Sequence, residues 1–243
     1  VAFEEDGDQI KVALESEKDI AADLVILSIG VRPETKLAVG AGLELGSMGG
    51  IKVDDYMQSS DKDIYAVGDA VEVLNPIIGK HVLIPLAGPA NKQGRMVANN
   101  LVEGNKYKYT GTTGTSIAKV FDLTVAAAGA SSKLLDREQI PHLVSYTHGH
   151  SHAGYYPNSL PLSIQINFSP ADDKLLGAQV IGFDGADKRI DLLAQVIREG
   201  GTIYDLQEIE HAYAPPYSSA KDPVNMAGFV AENILTGKMK HVH

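Results

Sequence analysis

The 243-residue sequence contains no cysteine. Disulfides and thiolate metal sites are therefore excluded within it. No apolar run approaches the ~20 residues that cross a bilayer as a helix. Residues 1–15, VAFEEDGDQIKVALE, have neither the basic start nor the apolar stretch of a signal peptide. Positive charge is scarce: 21 Lys and Arg against 31 Asp and Glu leave a net charge of -10. That balance argues against nucleic acid as a main partner, though not against a local basic pocket for an anionic ligand. There is no internal repeat and no low-complexity linker. What remains, 44% hydrophobic and 21% charged, suits a globular, cytoplasmic protein with a sizeable core.

The periodicities divide the chain. QIKVAL (9–14) alternates like a strand, and DLVILSIG (23–30) has the continuous apolar run of a strand buried on both faces. Two strands do not make a domain, so residues 1–36 are expected to be the tail of a domain whose body lies off this sequence. GGIKVDDYMQSS (49–60) and DIYAVG (63–68) each predict one more strand. PLAGPANKQGRMVANNLVEG (85–104) predicts a helix with Ala90, Gly94, Val97, Ala98 and Leu101 at helical spacing. The pattern changes after residue 112. SIAKVFDLTVAAAGA and HLVSYT read as strands, and LPLSIQINF with KLLGAQVIGF reads as a hairpin around SPADDK. Residues 186–200 predict an amphipathic helix with Ile190, Leu193, Ala194 and Ile197 on one face. Residues 222–237 predict another, with Asp222 as N-cap, Pro223 in the first turn and Gly237 as stop. Strands followed by helices make the second half an α+β domain. The apolar faces of the two helices are expected to supply part of a twofold contact.

Gly68 and Asp69 follow the apolar run Ile64–Val67. One reading is a simple chain reversal. The other is a carboxylate that accepts hydrogen bonds from ligand hydroxyls at the C-terminal end of a strand, where open α/β sheets bind ligands. Such an acceptor needs no cationic partner. GAGLELG (40–46) is no dinucleotide fingerprint, because its glycines are wrongly spaced and no strand leads in.

LSIGVRPET, DIYAVGDA and LAGPANKQGR, in that order, resemble the C-terminal half of the FAD- and NAD(P)H-dependent pyridine nucleotide-disulfide oxidoreductases. The resemblance implies a Rossmann-like α/β FAD/NAD(P)-binding portion, incomplete here, followed by an α+β dimerisation domain. It places the tail of the NAD(P) domain at 1–36, the C-terminal part of the FAD domain at 37–112 and the dimerisation domain at 113–243. Ile29, Gly30 and Pro33 mark the return from the inserted nucleotide domain. Asp69 takes the role of flavin ribityl ligand, with Gly68 permitting close approach. Backbone groups of Leu86 and Ala87, and the neighbouring Ala90, lie at the helix start that faces the flavin pyrimidine ring. A helix N-terminus suits the negative charge of a reduced flavin.

HAYAPPYSSAKDPVNMAG (211–228) further resembles the single-cysteine subgroup: coenzyme A-disulfide reductases, NADH-dependent persulfide reductases and NADH oxidases. HAGYYPNS (152–159) is similar to a second segment of that group. The resemblance implies a homodimer in which tyrosines reach the partner's active site. It assigns those roles to Tyr217 and Tyr156, with Tyr155 as the alternative to Tyr156. It implies FAD and NAD(P)H as cofactors, coenzyme A as part of a disulfide or persulfide substrate, and a reactive cysteine that this sequence does not contain. The chain alone is then not expected to catalyse. An oxygen-using NADH oxidase and a non-catalytic dimerisation module are the rival expectations. The ending TGKMKHVH resembles a stretch after which relatives continue into a rhodanese domain. His148, His150 and His152 would share one face of a strand, but Gly149 and Gly154 point to a loop, and no metal is expected there.

Overall fold

The computed structural model of the chain describes residues 2–16 and 18–240. They form two compact units, residues 1–33 and 34–243. The expected boundary at 112/113 lies inside the second unit.

In the first unit, β1 (Ala2–Asp6), β2 (Gln9–Ala13) and β3 (Asp19–Ala22) make an antiparallel meander in chain order. Lys11 on the central strand pairs across to Asp19 at 2.9 Å and Glu4 at 3.5 Å. The strand expected at 23–30 is not formed. A strand buried on both faces needs strands to pair with and a layer packed over each face. No described strand lies beside this one, and Leu24, Ile26, Leu27 and Ile29 are exposed.

The second unit begins with a short helix, α1 (Lys36–Gly40), and a three-stranded sheet of β4 (Ile51–Lys52), β5 (Val71–Asn75) and β6 (Lys80–Leu83). β4 runs parallel to β5, and β5 and β6 form a hairpin. The strand expected over 49–60 shrinks to two residues. Asp54 ends it by accepting the backbone N–H groups of Tyr56 (2.8 Å) and Gln58 (2.9 Å), which turns the chain. Ile64–Val67 is not the buried strand expected either. Among the described residues its pairing is limited to the Gln58–Tyr65 bridge, with the Ser59 N–H bonded to the Ile64 carbonyl and the Ala66 N–H to the Met57 carbonyl, and it stays half-buried or exposed.

The long helix α2 (Ala87–Glu103) forms as its spacing predicts. Its inward face matches the expected one only in part: Ala90, Gly94 and Val97 are half-buried, while Ala98 and Leu101 are exposed. Gln93 and Asn100 are buried, Met96 and Val97 pack on Val53, Met57, Val71 and Val73, and Leu101 faces solvent. Asn100 earns its burial by closing the helix end: its side-chain oxygen accepts the Tyr107 N–H at 2.9 Å and its amide donates to the Tyr107 carbonyl at 2.9 Å.

The rest of the unit is a five-stranded antiparallel sheet in the order β7-β8-β11-β10-β9. The strands are β7 (Thr115–Val120), β8 (Leu123–Gly129), β9 (Leu143–His150), β10 (Pro161–Phe168) and β11 (Leu175–Gly182). A short helix, α3 (Ser132–Arg137), follows β8. α4 (Ala186–Arg198), α5 (Ile203–Glu208) and α6 (Pro223–Leu235) follow β11. Asp222 caps α6 in a capping box with Asn225, and Pro223 opens the first turn, as expected. Thr202 and Asp205 make a second capping box on α5.

One sheet face and the helices form the main core. Ile164, Ile166, Val180, Ala126 and Ala128 meet Ile190, Leu193 and Ile197 of α4 and Val224, Ala227 and Ala231 of α6. Each fully buried Ile or Leu contributes roughly 1.5–3 kcal/mol. The apolar faces of α4 and α6 are thus largely taken up inside the chain, with Met226 of α6 left exposed. The opposite sheet face leaves Val125 and Ile181, directly opposite each other on β8 and β11, partly exposed with Tyr146 of β9. β8 and β11 approach so closely that a Cβ on Gly177 would lie 2.0 Å from the Ala130 carbonyl oxygen. Among the described residues no helix is long and apolar enough to cross a membrane.

Candidate functional site

Two groups of residues carry the chemistry the sequence points to. The first is the turn Gly68–Ala70, a single 3-10 turn that packs on the start of α2. Gly68 has φ +82°, a left-handed conformation that costs glycine little and L side chains more. Its N–H donates to Oε1 of the buried Gln93 at 2.7 Å, so α2 itself fixes the turn. Ala90 lines the same spot: it is the nearest neighbour, 3.8 Å from where a Gly68 Cβ would stand. Asp69 is exposed, and among the described residues its side chain is in no hydrogen bond or ion pair.

The α2 start has the complementary property. Leu86 is the N-cap and makes no side-chain cap bond, and the first turn contains no acidic residue. The Leu86 carbonyl accepts the Ala90 N–H at 3.2 Å, while the earlier N–H groups of the helix gain no side-chain acceptor. A free carboxylate and an uncapped, partially positive helix end thus stand on neighbouring elements. That donor and acceptor set fits a ligand with hydroxyls at one part and an electron-rich ring at another. Of the residues named from the sequence, Gly68 and Ala90 are neighbours, with Asp69 next to the one in the chain and Leu86 and Ala87 a turn before the other. Gln93, which joins them, was not foreseen.

The second group sits on two loops of the sheet domain. Residues 151–160 carry Tyr155 and Tyr156, and residues 209–222 carry Tyr213 and Tyr217. The two phenols that meet are Tyr155 and Tyr213, Oη to Oη at 2.9 Å. Either can donate. The hydrogen bond to Tyr213 raises the Tyr155 pKa above the usual tyrosine range. Tyr156 instead stands edge-on to the buried His152, with ring centroids 5.8 Å apart. Tyr217 ends the Ala214–Tyr217 turn, whose centre is Pro215–Pro216, and its ring is 69% exposed. Tyr217 and Tyr156 are not joined by any hydrogen bond among the described residues.

Beneath these loops lies Arg189 of α4, with no exposed surface. Its guanidinium grips Asp222 with two bonds, Nε to Oδ1 at 2.9 Å and Nη2 to Oδ2 at 2.7 Å. Asp222 also accepts from the Ser218 hydroxyl and the Val224 N–H. Burial alone would raise the Asp222 pKa; the Arg189 fork and charge, Ser218 and Val224 outweigh it and hold the carboxyl below its usual range. His211, at the start of the second loop segment, has its pKa lowered chiefly by burial. Among the described residues its Nε2 has no hydrogen-bond partner.

His148 and His150 lie on β9, so Gly149 belongs to a strand and not to the expected loop. β9 pairs with β10 along its full length, Gly149 opposite Leu162. His148 Nδ1 bonds Ser163 Oγ at 2.8 Å, while His152 lies past the strand and bonds the Pro157 carbonyl at 3.0 Å. Among the described residues no group of three His, Asp or Glu side chains can hold a metal ion.

The fold superposes on solved structures of FAD/NAD-dependent oxidoreductases. The chain belongs to the pyridine nucleotide-disulphide oxidoreductase family, whose sequence profile matches residues 1–94. Among curated relatives, the coenzyme A disulfide reductase of Staphylococcus aureus strain JH9 is 33% identical over 210 residues, 86% of this chain and 48% of the relative. The solved structure of reduced Bacillus anthracis CoADR-RHD superposes with a TM-score of 0.92 at 50% identity, over 99% of this chain and 43% of that one. The NAD-dependent persulfide reductase from A. fulgidus gives a TM-score of 0.92 at 34% identity, over 99% and 44%. The chain spans about half the length of the curated relatives it matches.

Proposed function

We propose that this chain forms the C-terminal portion of a homodimeric flavoprotein that uses NAD(P)H to reduce coenzyme A disulfide or coenzyme A persulfide. The observation that supports this reading is the Tyr155–Tyr213 phenol pair on loops whose sequences, HAGYYPNS and HAYAPPYSSAKDP, resemble those of the single-cysteine subgroup. For a disulfide the balance is NAD(P)H + H⁺ + RSSR → NAD(P)⁺ + 2 RSH: the S–S bond breaks, and each sulfur leaves as a thiol.

FAD, when bound, supplies the relay of the two electrons. This chain's residues would hold it. Asp69 would accept hydrogen bonds from ribityl hydroxyls, Gly68 keeps the turn free of a side chain, and the N–H groups after Leu86 would be available to donate to an electron-rich ring. The reactive cysteine belongs to sequence that this chain does not contain. The tyrosines act on the leaving sulfur. In a phenol pair the donor keeps its proton, and the acceptor's own O–H points outward, polarised by the bond it receives. That outward hydroxyl donates a hydrogen bond or a proton to the departing thiolate, across the contact with a second copy.

The reading is tested on the protein purified from its natural source. The expected product is about twice this chain's length, as the 48% coverage of the curated relative suggests. It binds flavin and oxidises NAD(P)H when given coenzyme A disulfide or persulfide. A product of this chain's own mass, without flavin and without NAD(P)H oxidation, would overturn the proposal and leave a binding module. Oxidation of NADH by oxygen alone would replace the substrate half of it.

A further inference from the structure

We infer that the buried Arg189–Asp222 pair is a positioning unit that sets the contact between the Tyr155 and Tyr213 hydroxyls. The inference rests on the proposal that this phenol pair faces the substrate.

Both residues have no exposed surface. An ion pair removed from water gives up most of its solvation, and well-packed apolar residues in its place are often as stable or more so. Stability alone is therefore a weak reason for it to be there. Its geometry gives a better one. Besides its two bonds to Asp222, Arg189 donates Nη2 to the Ser151 carbonyl at 2.9 Å and Nη1 to the Gly185 carbonyl at 2.9 Å. Ser151 opens the loop that carries Tyr155. Asp222 closes the loop that carries Tyr213. One guanidinium thus holds the ends of both tyrosine loops, in directions fixed by its planar fork.

Two further bonds tighten the arrangement. The Ala153 N–H donates to the Ser218 carbonyl at 3.0 Å, joining the loops two residues from Tyr155. Ser218 in turn is held by its hydroxyl on Asp222. Lys188, next to Arg189 on α4, donates to the Tyr217 carbonyl. The tips gain little from burial: Tyr155 is 77% and Tyr213 47% exposed. Their hydroxyls meet because the bases of the loops are fixed. A displacement of about 0.5 Å at one base would carry the oxygen pair out of hydrogen-bond range.

The test follows tyrosine ionisation, by carbon NMR of ring-labelled tyrosine, in the full chain and its variants. Tyr155→Phe and Tyr213→Phe assign the signals. In the parent, Tyr155 should titrate above the ordinary range, because its hydroxyl bonds that of Tyr213. Tyr213→Phe should return it to about 10. Arg189→Met with Asp222→Asn removes both charges together, and asparagine still caps α6. This double variant, folded by circular dichroism, should also return Tyr155 to about 10. Arg189→Lys keeps the charge without the fork, and serves if the double variant does not fold; it should give the same shift. A Tyr155 titration that stays raised in the folded double or lysine variant would overturn the inference, as would one left unchanged by Tyr213→Phe. Neither measurement needs flavin or substrate. If the titration shifts while turnover with coenzyme A substrates is unchanged, positioning stands and the catalytic reading of the phenols falls.

Discussion

The buried side-chain carbonyl of Gln93, on the second turn of α2, accepts the Gly68 N–H at 2.7 Å. One residue of a helix thereby dictates the conformation of a turn far behind it in sequence. Gln93→Leu keeps the volume and orphans the Gly68 N–H. A lost acceptor for a buried donor costs about 1–3 kcal/mol. Thermal unfolding should show that loss, and flavin titration of the assembled protein should show weaker binding alongside it. Full stability with unchanged flavin affinity would separate this turn from the cofactor.

Asp69→Ala should behave in the opposite way. The side chain is exposed and free of partners among the described residues, so stability should move by no more than about 0.5 kcal/mol. Loss of one charge-assisted contact of about 1.5–3 kcal/mol should weaken FAD binding roughly ten- to a hundredfold. Flavin content after dilution and gel filtration is the measurement. An unchanged content would refute the ribityl role.

Three single variants, Tyr155→Phe, Tyr213→Phe and Tyr217→Phe, rank the tyrosines. Each keeps the ring and removes only a hydroxyl, so folding should barely change. General acid assistance is worth about 10²–10⁴-fold. Stopped-flow should show flavin reduction by NAD(P)H unaltered, with the thiol-releasing step slowed by roughly tenfold or more in Tyr155→Phe and Tyr213→Phe. Because the two hydroxyls share one hydrogen bond, the double variant should be less than multiplicative. Tyr217→Phe tests the assignment made from sequence. A larger effect there than at Tyr213 would move the proton donor to the Ala214–Tyr217 turn.

Much of the sheet domain is legible in the sequence because its strands find their partners nearby. β10 and β11 alternate and are joined by SPADDK; α4 and α6 announce themselves by stripe and cap. Segments 23–30 and 64–67 read as buried strands on apolar content alone, yet no described strand flanks the first and, among the described residues, pairing of the second is limited to one bridge. Strand β5 was hidden by a charge. Glu72 is buried within it, and its Oε1 accepts the N–H groups of Met48 (2.7 Å) and Gly50 (3.1 Å). Arg189 did leave a signal. It falls between Ala186 and Ile190 on the apolar stripe of α4, where an arginine is out of place unless a buried partner waits for it. Tyr213 left none that distinguished it from Tyr217, since the phenol contact joins loops 58 residues apart.

Acid should loosen the second tyrosine loop. Burial lowers the His211 pKa, and the nearby charges of Arg189 and Lys188 add to that, against Asp222. In the unfolded chain the imidazole takes up a proton near pH 6.5. The folded chain resists until lower pH. Stability is therefore full above about 6.5 and falls as pH drops from there toward the lower folded value. His211→Gln should flatten this segment of the stability–pH curve. A parent curve already flat between pH 7 and 5, on the order of the window a histidine controls, would exclude the effect.

Gly177→Ala should be among the most damaging small substitutions. Its Cβ would sit 2.0 Å from the Ala130 oxygen and 2.8 Å from the Ala130 carbonyl carbon, both backbone. Forcing β8 and β11 apart should cost roughly 1–3 kcal/mol or more. Chemical denaturation measures it. A loss below about 0.5 kcal/mol, the scale of a surface change, would mean the sheet yields there.

Helix α4 has hold of something at each end. Near its start, Arg189 grips the tyrosine loops; in its last turn, Arg198 donates Nη1 to the Gly111 carbonyl at 2.7 Å and Nη2 to Thr110. Nine residues separate the two arginines, which is about two and a half turns and ~14 Å, so they point to opposite sides of the helix. α4 is therefore a gauge block between the chain leading away from α2 and the loops that carry the phenols. Inserting one residue between the arginines would swing one grip by about 100° relative to the other. Drift in this region of the sequence is then free to change the outward side chains between the two arginines but not the length of the helix.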